Sequence, residues 1–339
     1  MKTQYVEDLQ EGGRVDSVFA LSGKKRPLKK NGDPFLVVEL GDRTGKVEAK
    51  RWECTDADWE TIQKTSFARV AGKVEEFGGR LQVIIERWKP VTDPEDRGDY
   101  VETAAAPIDL LRNNLDATIS EVKNPYLNAL LKAVFEDPNI RPRFEMAPAA
   151  KGMHHAVLHG LIQHTLEVTD LAKATVDAQA EWGYECHVSR DLVIAGALVH
   201  DIGKVDELSY DALEFGYTLD GNLLGHIVMG TQMLSEKIAQ IPGFPRELRA
   251  SILHIVLAHH GKGDHGSPIP PMLAEAQIVH MADLMDVQLY YLRNACAEAK
   301  KSGETVVFLN SLDGTPRMSP RKVYTGSLGT VVDDGTDSE

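Results

Sequence analysis

The chain has 339 residues with 37 basic and 51 acidic side chains, a formal net charge of -14. That length suffices for two domains with sizeable cores, and that charge excludes a protein that coats nucleic acid over its whole surface. An apolar fraction of 42% and a charged fraction of 26% are those of an ordinary globular protein, not of a low-complexity chain.

The acidity is uneven. Residues 1–92 carry 17 Lys+Arg against 15 Asp+Glu, and the remainder nets -16, so a polyanion would meet the N-terminal part. The opening stretch MKTQYVEDLQEGG has no apolar run, so no secretory leader is expected. Leu192–Val199 is too short to span a bilayer, and no membrane partner is expected. Cys54, Cys186 and Cys296 are widely separated and form no CxxC pair, which suits a reducing cytoplasm and argues against a thiolate metal site.

Residues 1–92 read as β structure. Gly13–Leu21 is a first strand; Pro34–Leu40 alternates with Leu36, Val38 and Leu40 on one face; Lys46–Trp52 resumes the alternation after a Gly-rich turn. Asp56–Lys64 suits a short helix, and Phe67–Phe77 and Arg80–Trp88 flank Gly78-Gly79, a tight hairpin signal. Five strands with a helix between the third and fourth is the order of an OB-fold barrel, whose loops after strands one and four border the ligand groove. The first of these loops would hold Lys24, Lys25, Arg26, Lys29 and Lys30, and the second Phe77 and Arg80. Basic loops beside exposed rings are the chemistry of single-strand binding, since charge tracks phosphates and rings stack on bases. Phe35, Trp52 and Trp88 suit either a stacking platform or the barrel core.

Residues 93–107 are Pro-, Gly- and acid-rich, and with helices over Ile108–Phe135, broken near Asn124-Pro125, they make residues 93–150 a connector; Pro138–Ala150 looks irregular. Residues 151–312 form the second domain. From Gly152 to about Ser302 the pattern is helical throughout, with helices over Val157–Ala180, from the N-cap Ser189 to Val199, over Gly225–Ile241, Pro245–His260 and Pro271–Lys301. Residues 303–312 suit a short strand pair, and residues 313–339 look disordered.

All twelve histidines lie between His154 and His280. Among them His164, His200-Asp201, His226, His259-His260 and Asp283 fall on or at the ends of separate helical patterns. One histidine on a helix face is usually a satisfied core residue. Seven ligand-type side chains from different helices are the way a bundle builds a metal site, and imidazole with carboxylate suits Mn, Fe, Zn, Ni or similar divalent ions. Lys204 lies one helical turn beyond His200 and can reach a phosphate oxygen, or serve only as a helix C-terminal cation. His155 suits leaving-group protonation or a phosphate contact, or else a surface position.

The order H…HD…H…HH…D resembles the HD-domain superfamily of metal-dependent phosphohydrolases over roughly residues 150–300. By that resemblance His164, His200, Asp201 and Asp283 would hold one ion, and Asp201, His226, His259 and His260 a second, with Asp201 bridging as the central catalytic carboxylate. The histidine count favours two ions. The whole-chain order, PFLVVELGDRTGKVEAKRW followed by MHHAVLHGLIQHTLEV, AGALVHDIGK, GHIVMG and LAHHG, resembles the YhaM family of 3′→5′ exoribonucleases over about residues 10–300. His159 and the acidic tail depart from the expected pattern without touching a ligand position. The resemblance implies a hydrolase that shortens single-stranded RNA, with single-stranded DNA as an alternative substrate, to nucleoside 5′-monophosphates. Its metal would be manganese, with iron, nickel, zinc, cobalt or magnesium as alternatives. A homo-oligomer is allowed. Two other readings stay open: an HD-type phosphohydrolase or phosphodiesterase of small nucleotides with the barrel in assembly or regulation, and a non-catalytic nucleic-acid binder.

Overall fold

The computed structural model describes residues 2–92, 97–151, 155–182, 188–211, 214–261, 263, 266–302, 306–309 and 321–324. Strands β1 (Arg14–Lys25), β2 (Leu36–Asp42), β3 (Gly45–Arg51), β4 (Phe67–Phe77) and β5 (Arg80–Val91) close into a barrel in the order β1-β2-β3-β5-β4, with helix α1 (Asp56–Gln63) between β3 and β4. Within the barrel β3 and β5 pair in parallel and the other neighbours antiparallel. The expected alternation holds on β2, where Leu36, Val38 and Leu40 point into a core shared with Phe19, Val70, Val74 and Val83. Thr55 and Asp58 form a capping box that starts α1. The β4–β5 hairpin turns through Gly78 (φ 61°) and Gly79 (φ 78°), left-handed positions that the diglycine supplies without strain.

The connector is tied to the barrel at its start and to the helices further on. Tyr100 packs on Phe67 at 5.1 Å between ring centroids, and the Asp99 carbonyl accepts from Arg43 N–H. Thr103 then bridges to Leu158. Helices α2 (Ile108–Glu121) and α3 (Pro125–Phe135) break where expected, because Asn124 caps the second helix and Pro125 occupies its first turn. Residues 138–150, expected to be irregular, contain α4 (Arg141–Met146), whose Phe144 is buried against Phe135. Pro142 in that segment sits in the first turn, where its missing N–H costs nothing.

The helical part continues with α5 (Gly160–Glu181), α6 (Arg190–Val199), α7 (Lys204–Glu207), α8 (Leu219–Ala239), α9 (Arg246–Ala258) and α10 (Ala274–Ser302). It is not wholly helical as expected: β6 (Leu208–Asp211) and β7 (Glu214–Tyr217) pair as a hairpin between α7 and α8. Strand β8 (Val306–Leu309) pairs with β9 (Arg321–Tyr324), so paired structure reaches into the segment expected to be disordered, and the partner of the first strand lies beyond residue 312. The fold class stands as read from the sequence, an OB-fold barrel followed by an HD-type bundle. Among the described residues no helix is long and apolar enough to cross a membrane.

Helix α6 is the centre of the bundle. Ser189 caps it by accepting from Leu192 N–H, and every residue from Leu192 to Val199 is buried. Small residues allow that. A Cβ on Gly196 would stand 2.6 Å from the Ile255 side chain of α9. A Cβ on Gly203, at the start of α7, would overlap the His226 carbonyl oxygen and stand 2.6 Å from Gly230 N, both backbone atoms of α8. Gly203→Ala therefore forces α8 outward and carries His226 with it. We expect a loss of roughly 1–3 kcal/mol, as for other overpacked sites, seen as a melting temperature lower by about 2–4 °C per kcal/mol. A thermal melt superimposable on that of the wild type would contradict this close approach.

Candidate metal centre

The end of α6 delivers His200 and Asp201 together into the middle of the bundle. Asp201 is 2% exposed and its two oxygens face different sets of groups. Oδ2 lies 3.3 Å from His164 Nε2 on α5, 3.3 Å from His200 Nε2 and 2.6 Å from Lys204 Nζ. Oδ1 lies 3.4 Å from His226 Nε2 on α8 and 3.5 Å from His259 Nε2 at the end of α9. Asp283 on α10 comes within 3.4 Å of His164 Nε2, and the Nε2 atoms of His164 and His200 are 3.4 Å apart. The seven candidate ligands thus gather in one place. Among the described residues three clusters have one ligand atom from each member within 4.8 Å of the others: Asp201, His226, His259 and His260; His164, His200 and Asp283; and, behind the second, His155, His164 and Asp286.

The donor set fits a cation. Asp201 Oδ1, His226 Nε2 and His259 Nε2 are buried and have no hydrogen-bond partner among the described residues. Orphaned buried acceptors are costly, and three converging on one point call for positive charge there. His200 and His259 each cap the C-terminus of a helix, with Nδ1 2.7 Å from the carbonyl three residues back, Ala197 or Val256. Each contact satisfies a last-turn carbonyl and leaves Nε2 aimed inward. Each also directs the negative end of a helix dipole at the site.

The electrostatics agree. Burial pushes the Asp201 carboxyl up, but Lys204 and His200 beside it outweigh that and hold it well below the usual carboxylate range. Burial alone would also raise Asp283, yet its hydrogen bond and charge pairing with His164 keep it ionised. Lys204 stays an ammonium, because Asp201 more than offsets its burial. Burial, then the neighbouring His259 and His226, pushes His260 down to about 2, so it is a neutral imidazole at any ordinary pH. Burial lowers His259 as well, against the pull of Asp201. His164 goes the other way: burial disfavours its charge, but Asp201, Asp283 and Asp286 together raise it well above 6.5.

His155 sits differently from the expectation. His155 is buried behind His164, not exposed or turned toward a substrate, with Nε2 3.2 Å from Asp286 Oδ2 and its ring 4.5 Å from Tyr290. Lys204 is engaged with Asp201, neither at the surface nor a mere helix cap. Sequence reasoning missed Asp286 and Glu207. The first was legible as a carboxylate one turn beyond Asp283 on the same helix face.

The barrel carries a second surface of interest, a cleft of about 630 Å³ lined by Lys46, Lys50, Phe77, Arg80 and the N-terminal Val6 and Leu9. Phe77 is 71% exposed, with Lys50 Nζ 5.4 Å from its ring centre. Trp52, at the opposite end of β3, is 48% exposed and sits 5.4 Å from Phe35, so this pair is not core, whereas Trp88 packs against it. The basic loop is only partly free for a ligand. Lys24 donates to Thr65 O and Gln63 O near the end of α1, and Arg26 donates to Cys54 O and pairs with Asp56; Lys25 and Lys30 are exposed and Lys29 half-buried. Lys46 and Lys50 were missed, although the alternation of β3 puts both on its outer face.

A closed five-stranded barrel joined to a bundle with this His/Asp centre defines an OB-fold protein fused to an HD-domain, metal-dependent phosphohydrolase. Residues 12–91 match the family described as an OB-fold nucleic acid binding domain, and residues 161–287 the HD domain. The protein named 3′-5′ exoribonuclease YhaM of Bacillus subtilis is 33% identical over 295 residues, covering 86% of this chain and 90% of that protein. The protein of the same name in Listeria monocytogenes is 34% identical over 284 residues, covering 83% and 88%. That in Halalkalibacterium halodurans is 31% identical over 313 residues, covering 92% and 94%. The chain belongs to the YhaM family of 3′-5′ exoribonucleases.

A histidine ligates through an unprotonated nitrogen, so if His164 holds an ion, metal uptake at near-neutral pH releases the proton that its acidic neighbours retain there. Because that pKa is raised, ion affinity should climb as pH rises from 6 toward the folded value of His164, and fall in acid. Titration calorimetry of Mn²⁺ into metal-stripped protein at pH 7, in buffers of different ionisation enthalpy, should show proton release. Heats independent of the buffer would mean that His164 is not a protonated ligand.

Proposed function

We propose that the chain is a divalent-metal-dependent 3′→5′ exoribonuclease that hydrolyses single-stranded RNA to nucleoside 5′-monophosphates. The observation that carries the reading is Asp201, one buried carboxylate with an oxygen turned to each of two imidazole sets. In this reading His164, His200, Asp201 and Asp283 hold one ion and Asp201, His226, His259 and His260 a second, with manganese the favoured metal. Divalent ions bound there would activate water and neutralise charge developing on the phosphodiester. The chain's own groups do the rest. The helix ends and carboxylates hold the ligands in place. Lys204, 2.6 Å from Asp201 Oδ2, is close enough to the centre to meet a non-bridging phosphate oxygen. Hydrolysis adds hydroxide to phosphorus and a proton to the 3′ oxygen of the upstream nucleotide, which becomes the new strand end. A catalytic role for His155 gains no support from a position behind His164 with Nε2 on Asp286.

The upstream strand is gripped by the barrel. Phe35 and Trp52 at one end of β3, Phe77 and Arg80 at the other, and Lys46 and Lys50 between them offer rings for bases and cations for phosphates. Lys25, Lys29 and Lys30 extend this basic edge. A groove fitted to unpaired nucleotides does not admit a duplex. Cytoplasmic placement is part of the same proposal, and single-stranded DNA is a second substrate to test. The relatives' printed activity favours this reading over hydrolysis of small nucleotides.

Three results are expected. Asp201→Ala should lose both ions and all hydrolysis, whereas His226→Ala should lose mainly one ion, as metal analysis of the purified proteins will show. Two ions retained by Asp201→Ala would end the bridging assignment. A 5′-labelled RNA should shorten as a ladder that stalls at a stable hairpin, while a 3′-labelled one releases mononucleotide at once. Cleavage of a circular single strand would reveal an endonuclease. Phe77→Ala with Arg80→Gln should raise KM roughly tenfold for long strands, in line with the loss of ~1–3 kcal/mol per stacked base, and flatten its salt dependence. Hydrolysis of a minimal phosphodiester should be unchanged, and equal loss on both substrates would remove the barrel from strand capture.

A further inference from the structure

The four imidazoles that present Nε2 to Asp201 are each fixed from behind at Nδ1, but not by the same kind of group. His200 and His259 lean on neutral carbonyls of their own helices, Ala197 O and Val256 O. His164 and His226 lean on carboxylates brought from elsewhere. His164 Nδ1 is 2.7 Å from Asp286 Oδ2, and His226 Nδ1 is 3.1 Å from Glu207 Oε1. We infer that Asp286 and Glu207 are the positioning residues of this centre, one behind each ion, which fix their histidines as Nδ1–H donors and strengthen Nε2 as a ligand. The inference rests on the two-ion reading above and assigns these residues no contact with substrate.

The division is even. Asp286 backs a member of the His164, His200 and Asp283 cluster, and Glu207 backs a member of the cluster that holds His226, His259 and His260. An ionised carboxylate can only accept, so in the ligating form of each ring Nδ1 carries the proton and Nε2 is the atom that turns a lone pair toward Asp201. A charge behind the ring also raises the basicity of the ligand, and such outer partners commonly govern metal affinity.

Both carboxylates are buried, and buried charge is retained only where partners compensate it. The chain supplies those partners by unusual local means. Asp286 Oδ2 also meets His155 Nε2 at 3.2 Å. His155 sits at φ 48°, a left-handed backbone rare for a residue with a side chain, held by its carbonyl accepting from Ala149 N–H and its ring lying on Tyr290. Glu207 Oε1 accepts from His226 twice, from Nδ1 and from the backbone N–H at 2.9 Å. That N–H is available because α8 is interrupted at Gly225 (φ 73°, ψ 156°), a conformation that favours glycine, so His226 restarts the helix without an acceptor in the preceding turn.

The test is calorimetric titration of Mn²⁺ into metal-stripped full-length protein, comparing wild type with Asp286→Asn, Asp286→Ala, Glu207→Gln and the double variant Asp286→Asn/Glu207→Gln. The wild type should show two binding events. Asp286→Ala should weaken one of them about 10–100-fold, the range for lost outer-shell partners, and Asp286→Asn by less, because its amide oxygen still accepts from Nδ1–H. Glu207→Gln should weaken the other event, the one that His226→Ala abolishes, and the double variant should weaken both. Circular dichroism of the metal-free proteins separates misfolding from weakened binding; if an Asp286 variant unfolds, Glu207→Gln, which keeps an acceptor, carries the test. Folded variants that bind both ions with wild-type affinity, or that weaken the same event, would overturn the inference. A wild type that takes up no Mn²⁺ would overturn the two-ion reading and this one with it.

Discussion

One buried carboxylate governs the helical part of this protein. Asp201 sits at the end of a helix with no exposed residue from Leu192 to Val199, and an aspartate there is expensive unless positive charge surrounds it. The bundle meets that demand from four further helices: His164 from α5, Lys204 from α7, His226 from α8 and His259 from α9 all approach within 3.5 Å of its oxygens. The same demand explains why small residues line the approach. Gly196 and Gly203 let α9 and α8 come close enough for their histidines to reach. An Asp201 placed this way is a poor structural element and a good ligand, since its neighbours keep it ionised and leave one oxygen without a hydrogen-bond partner among the described residues.

The barrel answers a different constraint. Its interior is an ordinary apolar core, but outside it Trp52, just after β3, and Phe77, at the end of β4, are exposed, with Lys46 and Lys50 on the outer face of β3. Apolar rings left in water at the rim of a cleft are costly unless something stacks on them. In the proposed reading the work is divided accordingly: one part offers sequence-tolerant grip, the other hydrolytic chemistry, and the connector keeps both on one chain. The slight positive charge of residues 1–92 against the acidic remainder fits that division, since a polyanion would meet the barrel more readily than the bundle.

Much of this was legible from the chain alone, for identifiable reasons. Strand alternation, the Gly78-Gly79 turn, the Ser189 cap and the Asn124-Pro125 break are local signals, and each element falls within a few residues of where its pattern ends. The seven candidate ligand positions could be read because no histidine lies outside residues 154–280 and the seven fall on five separate helical patterns. What escaped depends on tertiary contacts. Asp286 and Glu207 look like ordinary acidic residues until the fold brings His164 and His226 against them. Lys24 and Arg26 look like free loop cations until α1 and the loop before it offer carbonyls to them. The β6–β7 hairpin is two strands of four residues, too short for periodicity to separate them from a helix end. His155 could not be placed because a left-handed residue has no signature in sequence unless it is glycine.

The claim on which the account turns is that Asp201 spans two ions. A crystal grown with Mn²⁺, with anomalous scattering recorded at the manganese edge, tests it most directly. The account predicts two anomalous peaks, about 3.5–4 Å apart as in other two-metal hydrolytic sites, one beside each oxygen of Asp201, with His164 and His200 on one and His226 and His259 on the other. A single peak, or two peaks of which only one touches Asp201, would contradict it.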